Sequence, residues 1–429
     1  MAVRCSTQRA STARMSACIW FNEMGSRATA AILRNGRDAA QWSLNVTHNA
    51  RASRAMAFVG NLARTAVCLG LLGLLGACAS PQPRSPLRTP DEVRAQLVQL
   101  IPPKTPDRAG WAADIQSSFQ LLDIPPSTEN LCAALAVIAQ ESTFVADPVV
   151  PNLGRIARKE IEHRAAQHHV PAFAVGVALK LKSSDGRSYA DRIARVRSER
   201  ELSEIYEDLI GRVPLGRQLF ADSNPVRTGG PMQVSIAFAE RYANQHPYPF
   251  TGNDSIRHAV FTRRGGLYFG IAHLLDYPNN YPRHIYRFAD FNVGWYASRN
   301  AAFQNALGIA TGIPLALDGD LLVPGKLSAT EAAARSLASQ LGLSDAGIHR
   351  QLGMSGELGF EESALYRGVF EMADRRKGKP VVREMIPQIR LQSPKITRKL
   401  NTEWFANRVQ TRYQRCVNQA FADMRQTPD

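Results

Sequence analysis

Apolar residues recur along most of this chain at helical spacing. Val93, Leu97 and Ile101 follow Thr89-Pro90-Asp91-Glu92, which combines a cap, a proline at the first helical position and a capping-box glutamate. A short amphipathic helix is expected there. Trp111, Ile115 and Phe119 repeat the pattern until Pro125-Pro126 stops it. The next segment, "ENLCAALAVIAQES", begins behind Ser127 or Thr128 and has no polar face, because Leu131, Ala134, Leu135, Val137, Ile138 and Ala139 surround it. A helix that is apolar all round is buried all round. This segment is therefore the expected central helix, and Glu141 closes it.

Residues 152–220 read as additional helices. Within them Ser198 to Glu201 form a capping box, and Leu202, Ile205, Tyr206 and Leu209 make a stripe ended by Gly211. After "TGGPMQVS" come "IAFAERYANQ", "GGLYFGIAHLLD" and "HIYRFADFNVGWYASRNAAFQNAL", each helical by period. Beyond Pro314 a second capping box, Ser328 to Glu331, precedes Ala334, Leu337 and Leu341, and "TEWFANRVQTRYQRCVNQAFADM" is the last strong helix. Strand-like alternation is scarce, no internal repeat is found, and the fold class is mainly α.

The N-terminal pattern is different. From Met56, Arg64 supplies a positive region, residues 66–77 an apolar one, and Cys78 follows small residues, as in a secretory signal peptide spanning 56–77. The apolar run is shorter than the roughly 20 residues that a membrane-crossing helix needs. Leu75-Gly76-Ala77-Cys78 resembles the bacterial lipobox, which implies cleavage before Cys78 and lipidation of its thiol. Ala79, rather than Asp, points to the outer membrane, facing the periplasm. A plain secreted protein is the alternative. Residues 1–55 have no place in such a scheme and read as an upstream extension, with Met56 as the true start. Pro81, Pro83 and Pro86 make residues 78–88 a tether.

Residues 1–77 hold nine Arg against Glu23 and Asp38, so they carry +7 of the formal +15 and leave +8 on the remainder. For an exported lipoprotein this excess suits peptidoglycan carboxylates and anionic lipid head groups better than nucleic acid; simple solubilisation explains it equally well. Of six Cys, only Cys132 and Cys416 remain free after processing and lipidation. In an oxidising compartment they are candidates for a disulfide, and Cys132 in its apolar run also fits a buried thiol.

Three motifs stand in order: Glu141-Ser142-Thr143-Phe144, Gly230-Pro231-Met232-Gln233, and Ala289-Asp290-Phe291-Asn292-Val293-Gly294. They resemble the E-S-x-F, G-x-M-Q and A-x-Y-N-x-G motifs of the soluble lytic transglycosylases, which share a lysozyme-like fold with goose-type lysozyme. The chain as a whole also looks like an uncharacterised family of bacterial lipoproteins. The first resemblance covers roughly Ser127 to Asn300. It implies a lysozyme-like domain over 89–313 with a helical insertion at about 152–220, and C-terminal helices over 314–429 outside it.

By this resemblance Glu141 is the single catalytic acid and base for the β-1,4 bond between N-acetylmuramic acid and N-acetylglucosamine, with no cofactor or metal. A carboxyl at the end of a buried helix loses solvation, which raises its pKa and favours the protonated form. Ser142 would orient the helix end, Gln233 hydrogen-bond the substrate and Met232 pack against a sugar ring. Gly230 would let the backbone approach, Asn292 would hold its loop and Gly294 would avoid a clash near Glu141. Asp147 reads as a turn residue.

Two departures bear on this. Phe291 stands where the family carries Tyr, leaving Tyr286 and Tyr296 as candidates to influence Glu141, and Gln233 lies 92 positions after Glu141, hence the insertion. The alternative is a non-catalytic peptidoglycan-binding lipoprotein on the same fold. A hydrolase would need a second base, which is not identified. Tyr242, Tyr248, Phe250, Tyr277 and Tyr281 suit either sugar stacking or the core. His163, His168 and His169 suit helix ends better than a metal site.

Overall fold

The computed structural model describes residues 88–167, 169–212, 215, 218, 223–252, 255–391 and 399–426. The expected upstream extension, signal peptide and lipidation site Cys78, the expected tether up to Leu87, and His168 lie outside them. Residues from Pro86 onward make one compact unit, and it is mainly α.

Helix α1 (Pro90–Leu100) starts where the capping box sits: the Thr89 hydroxyl accepts from the Glu92 N–H, and the Glu92 carboxylate accepts from the Thr89 N–H. It packs on α2 (Arg108–Leu121). Helix α3 (Thr128–Glu141) is capped by Ser127, whose Oγ accepts from the Asn130 N–H at 3.1 Å. Every residue from Leu131 to Ile138 is buried.

What surrounds α3 comes from far along the chain. Helix α17 (Thr402–Gln426) lies along it and presents Phe405, Ala406, Val409, Val417 and Ala420 to the same core, a stripe at helical spacing. A disulfide joins Cys132 of α3 to Cys416 of α17. Parts of α10 (Arg263–Leu275) and α11 (His284–Val293) complete this first core.

A second core gathers α4 (Leu153–Gln167), α5 (Ala172–Lys180), α6 (Tyr189–Arg195) and α7 (Glu199–Gly211) with a short hairpin, β1 (Thr228–Gly229) and β2 (Val234–Ser235), then α8 (Ile236–Gln245) and α9 (Ile256–Phe261). The opposite face of α10, with Tyr268, Phe269 and Ala272, belongs here, so α10 is the wall between two cores. Asp147 does more than turn the chain. It accepts from Ser198 Oγ at 3.0 Å and pairs with Arg200 at 2.8 Å, which fastens the segment after α3 to the start of α7.

The third core contains α12 (Ala297–Thr311), α13 (Ala329–Arg335), α15 (Asp345–Leu352) and α16 (Ala364–Lys377), with the short α14 (Ala338–Leu341) against α16. The C-terminal region is thus divided: 329–377 builds this core, while α17 returns to the first one across a second short hairpin, β3 (Arg390–Leu391) with β4 (Leu400–Asn401).

The segment expected as one helix from His284 is two. Gly294 with φ 127° and Tyr296 with φ 63° break it. Asp290 supplies the cause. Its buried carboxylate accepts from the N–H groups of Tyr296 (3.0 Å) and Ser298 (2.7 Å), capping α12 from the preceding helix, and also from the hydroxyls of Tyr277 (3.1 Å) and Tyr281 (2.7 Å). Tyr277 and Tyr281 are thereby structural, and Tyr242 likewise packs in the second core. Tyr248 and Phe250 pack against that core as well.

Candidate functional site

Glu141 ends α3, half-buried. Ser142 caps the helix: its N–H bonds the Ile138 carbonyl at 3.0 Å, and its hydroxyl donates to the same oxygen at 3.2 Å. Thr143 and Phe144 then both take left-handed backbone, φ 53° and 60°. Each such residue without the freedom of glycine costs on the order of 1–2 kcal/mol. The reversal turns the Phe144 ring into the first core, edge-on to Trp111 at 5.5 Å between centroids.

The second motif forms the turn of the β1–β2 hairpin, in which Gly229 pairs with Val234. Gly230 has φ +73°, and a Cβ there would come within 2.1 Å of the Val260 carbonyl oxygen, so no other residue fits. The turn is seated on a bare strip of α10. A Cβ at Gly266 would meet Pro231 at 2.5 Å, and one at Gly270 would meet the Met232 sulfur at 2.5 Å. Met232 is consequently fully buried and cannot pack against a sugar, contrary to the expectation; it pins the turn to α10. Gln233 stays partly exposed, donating to the Gly230 carbonyl (3.4 Å) and accepting from Thr228 Oγ1 (3.2 Å).

The third motif ends α11. Phe291 is buried with the first core, its ring 5.0 Å from that of His273. Asn292 does not hold its loop through its carbonyl: the buried Oδ1 has no hydrogen-bond partner, nor has Oε1 of Gln140, the residue before Glu141. Gly294 is needed for its backbone angle and not to avoid a clash, since nothing lies within 4 Å of a Cβ built there. Tyr296 donates its hydroxyl to the Pro278 carbonyl at 2.6 Å, and Tyr286 packs on the first core beside Tyr281.

Each motif therefore sends one apolar side chain, Phe144, Met232 or Phe291, into a single core, and leaves the neighbouring polar residue, Glu141, Gln233 or Asn292, half-buried.

Two ionisable groups nearby escaped the sequence reading. His273 of α10 sits among Phe238 (4.4 Å), Phe291 and Trp295 (6.3 Å), with Nδ1 buried and unpartnered. Burial, with Arg241 adding, pushes its imidazole down to about 4, so it is neutral at pH 7. Burial likewise pushes Asp290 up to about 6, against the donors that hold it down. His273 had no motif to mark it, and Asp290 occupies a variable position of one. Among the described residues no group of three His, Cys, Asp or Glu could hold a metal ion, and no helix is long and apolar enough to cross a membrane.

Residues 104–419 match a family described as a protein of unknown function, DUF1615. The chain is similar to the uncharacterized protein YaiW of Escherichia coli (strain K12), with 51% identity over 353 residues, covering 81% of this chain and 96% of YaiW. No solved structure matches it.

Proposed function

The chain belongs to the DUF1615 family, and from its own residues we propose that it is a peptidoglycan lytic transglycosylase of lysozyme-like fold, anchored to the outer membrane by lipid on Cys78. The observation that supports this reading is that Phe144, Met232 and Phe291, one from each of the three motifs, belong to the same hydrophobic core.

Glu141 protonates the glycosidic oxygen between N-acetylmuramic acid and N-acetylglucosamine, and that bond breaks. The resulting carboxylate takes the proton of the muramyl C6 hydroxyl as its oxygen bonds C1, giving an anhydro ring and returning Glu141 to its acid form. An internal hydroxyl replaces water, so the second carboxylate of ordinary glycosidases is not required.

A second reading, a peptidoglycan-binding lipoprotein that does not cut, is favoured by the buried Phe291 ring, which offers no hydroxyl where the resembled motif carries one.

The test is digestion of purified sacculi by residues 79–429 and by its Glu141→Gln variant, with mass spectrometry of released muropeptides. Anhydro-muramyl products made by the unmutated chain and reduced at least about a hundredfold in the variant are expected. Equal sacculus binding by both with no product would establish the binding reading instead.

A further inference from the structure

Helix α5 is apolar all round, "AFAVGVALK", yet only one side of it is covered. Val175 and Leu179 point into the second core between α4 and α6. On the opposite side Phe173 and Val177, four residues apart, leave 76% and 62% of their surface exposed, and Val170 and Leu181, just outside the two helix ends, leave 42% and 57%. Gly176 has nothing within 4 Å of a built Cβ. A cluster of large apolar side chains in water is unfavourable and marks an interaction surface.

We propose that this surface is that of a membrane-contact helix that lies in the head-group region of an anionic phospholipid bilayer. Its charge pattern carries the choice of occupant. Lys180 follows Phe173 by seven residues, on the same side of the helix, and Lys182 lies just beyond the helix end; both are exposed. Residues 153–182 hold Arg155, Arg158, Lys159, Arg164, Lys180 and Lys182 against Glu160 and Glu162 only. The two glutamates are taken by Arg164 and Arg158, and Arg155, Lys159, Lys180 and Lys182 form no ion pair among the described residues. Apolar side chains beside uncompensated cations are the pattern of a helix that lies on a membrane.

The chain outside the described fold supplies a second argument, which rests on the lipid-anchor reading. Arg88 lies only ten positions after Cys78, a reach of at most about 35 Å fully extended. The fold is then held close to a bilayer, so a surface helix can add a second contact to the anchor. Helix α5 provides that contact through Phe173, Val177 and Leu181, with Lys180 and Lys182 on lipid phosphates.

The experiment uses residues 79–429, which contain the whole compact unit and no lipid, so it does not depend on the anchor. Phe173→Trp, compared with the unmutated chain to subtract the native tryptophans, is mixed with vesicles of phosphatidylglycerol and phosphatidylethanolamine. The added indole is expected to shift to the blue and to be quenched by brominated acyl chains. Phe173→Asp/Val177→Asp, at positions already exposed and therefore neutral to folding, should weaken vesicle co-sedimentation by about tenfold or more, with circular dichroism unchanged. No indole shift at any lipid concentration would overturn the proposal. So would equal sedimentation of the double variant, or lipid-free self-association that the double variant abolishes, which would make a second copy the occupant. Labelling of cells with radioactive palmitate, with and without Cys78→Ser, tests the anchor separately.

Discussion

The imidazole of His273 lies 5.0 Å from the ring of Phe291, with its Nδ1 buried and bonded to nothing. An unsatisfied buried polar atom costs about 1–3 kcal/mol. A ring of similar shape that asks for no hydrogen bond removes that cost, so His273→Phe should raise stability by about 1 kcal/mol in chemical denaturation. A loss of stability would mean that the nitrogen has a partner in solution, such as an ordered water.

His273 and Asp290 should give opposite pH dependences. The folded-state pKa of Asp290 is raised from 3.8 to about 6, so the folded chain holds its proton longer than the unfolded one and stability falls as pH rises through this window. The folded-state pKa of His273 is lowered from 6.5 to about 4, so the unfolded chain binds the proton more readily and stability rises across nearly the same window. Denaturation midpoints between pH 4 and 6.5 should rise more steeply with pH in Asp290→Asn than in the unmutated chain. They should slope the other way in His273→Phe.

Gly230→Ala should destabilise by about 1–3 kcal/mol, because the new methyl group meets the Val260 carbonyl and the positive φ penalises any side chain. Thermal melting measures the effect. The turn carrying Gln233 would shift with it, so sugar binding or cutting should fall in the same variant.

Cys416→Ser, or reduction, removes a crosslink that closes a span of 284 residues. A loss of about 2–5 kcal/mol is expected, read from denaturation with and without reductant. The doubly substituted Cys132→Ala/Cys416→Ala chain should respond to reductant no further.

Much of the helical order was legible because capping and period agreed. Thr89, Ser127, Ser198 and Ser328 each cap the helix that the pattern behind them predicts. The all-apolar stretch before Glu141 correctly marked the central helix. The break at Gly294 was missed because the apolar period runs on through it, and only the tertiary bonds to Asp290 favour two helices over one. Helix α16 was readable and passed over: Ser363 caps it, Leu365, Val369 and Ala373 repeat at four residues, and Gly378 follows its end. For the candidate site, the sequence named residues that meet at one core but misjudged Met232. Its burial depends on Gly266 and Gly270, which look like ordinary helix positions until a turn settles onto them.

The packing of α17 on α3 fixes an order of events. Helix α3 is synthesised long before α17, so this apolar helix cannot be enclosed until residues 402–426 have been made. Loop-closure entropy has to be met before that contact rewards it, which makes final closure a slow, late step. Until then α3 exposes an apolar surface to solvent or to a chaperone. A chain that stops short of residue 402 would remain in that condition permanently, a natural substrate for proteolysis.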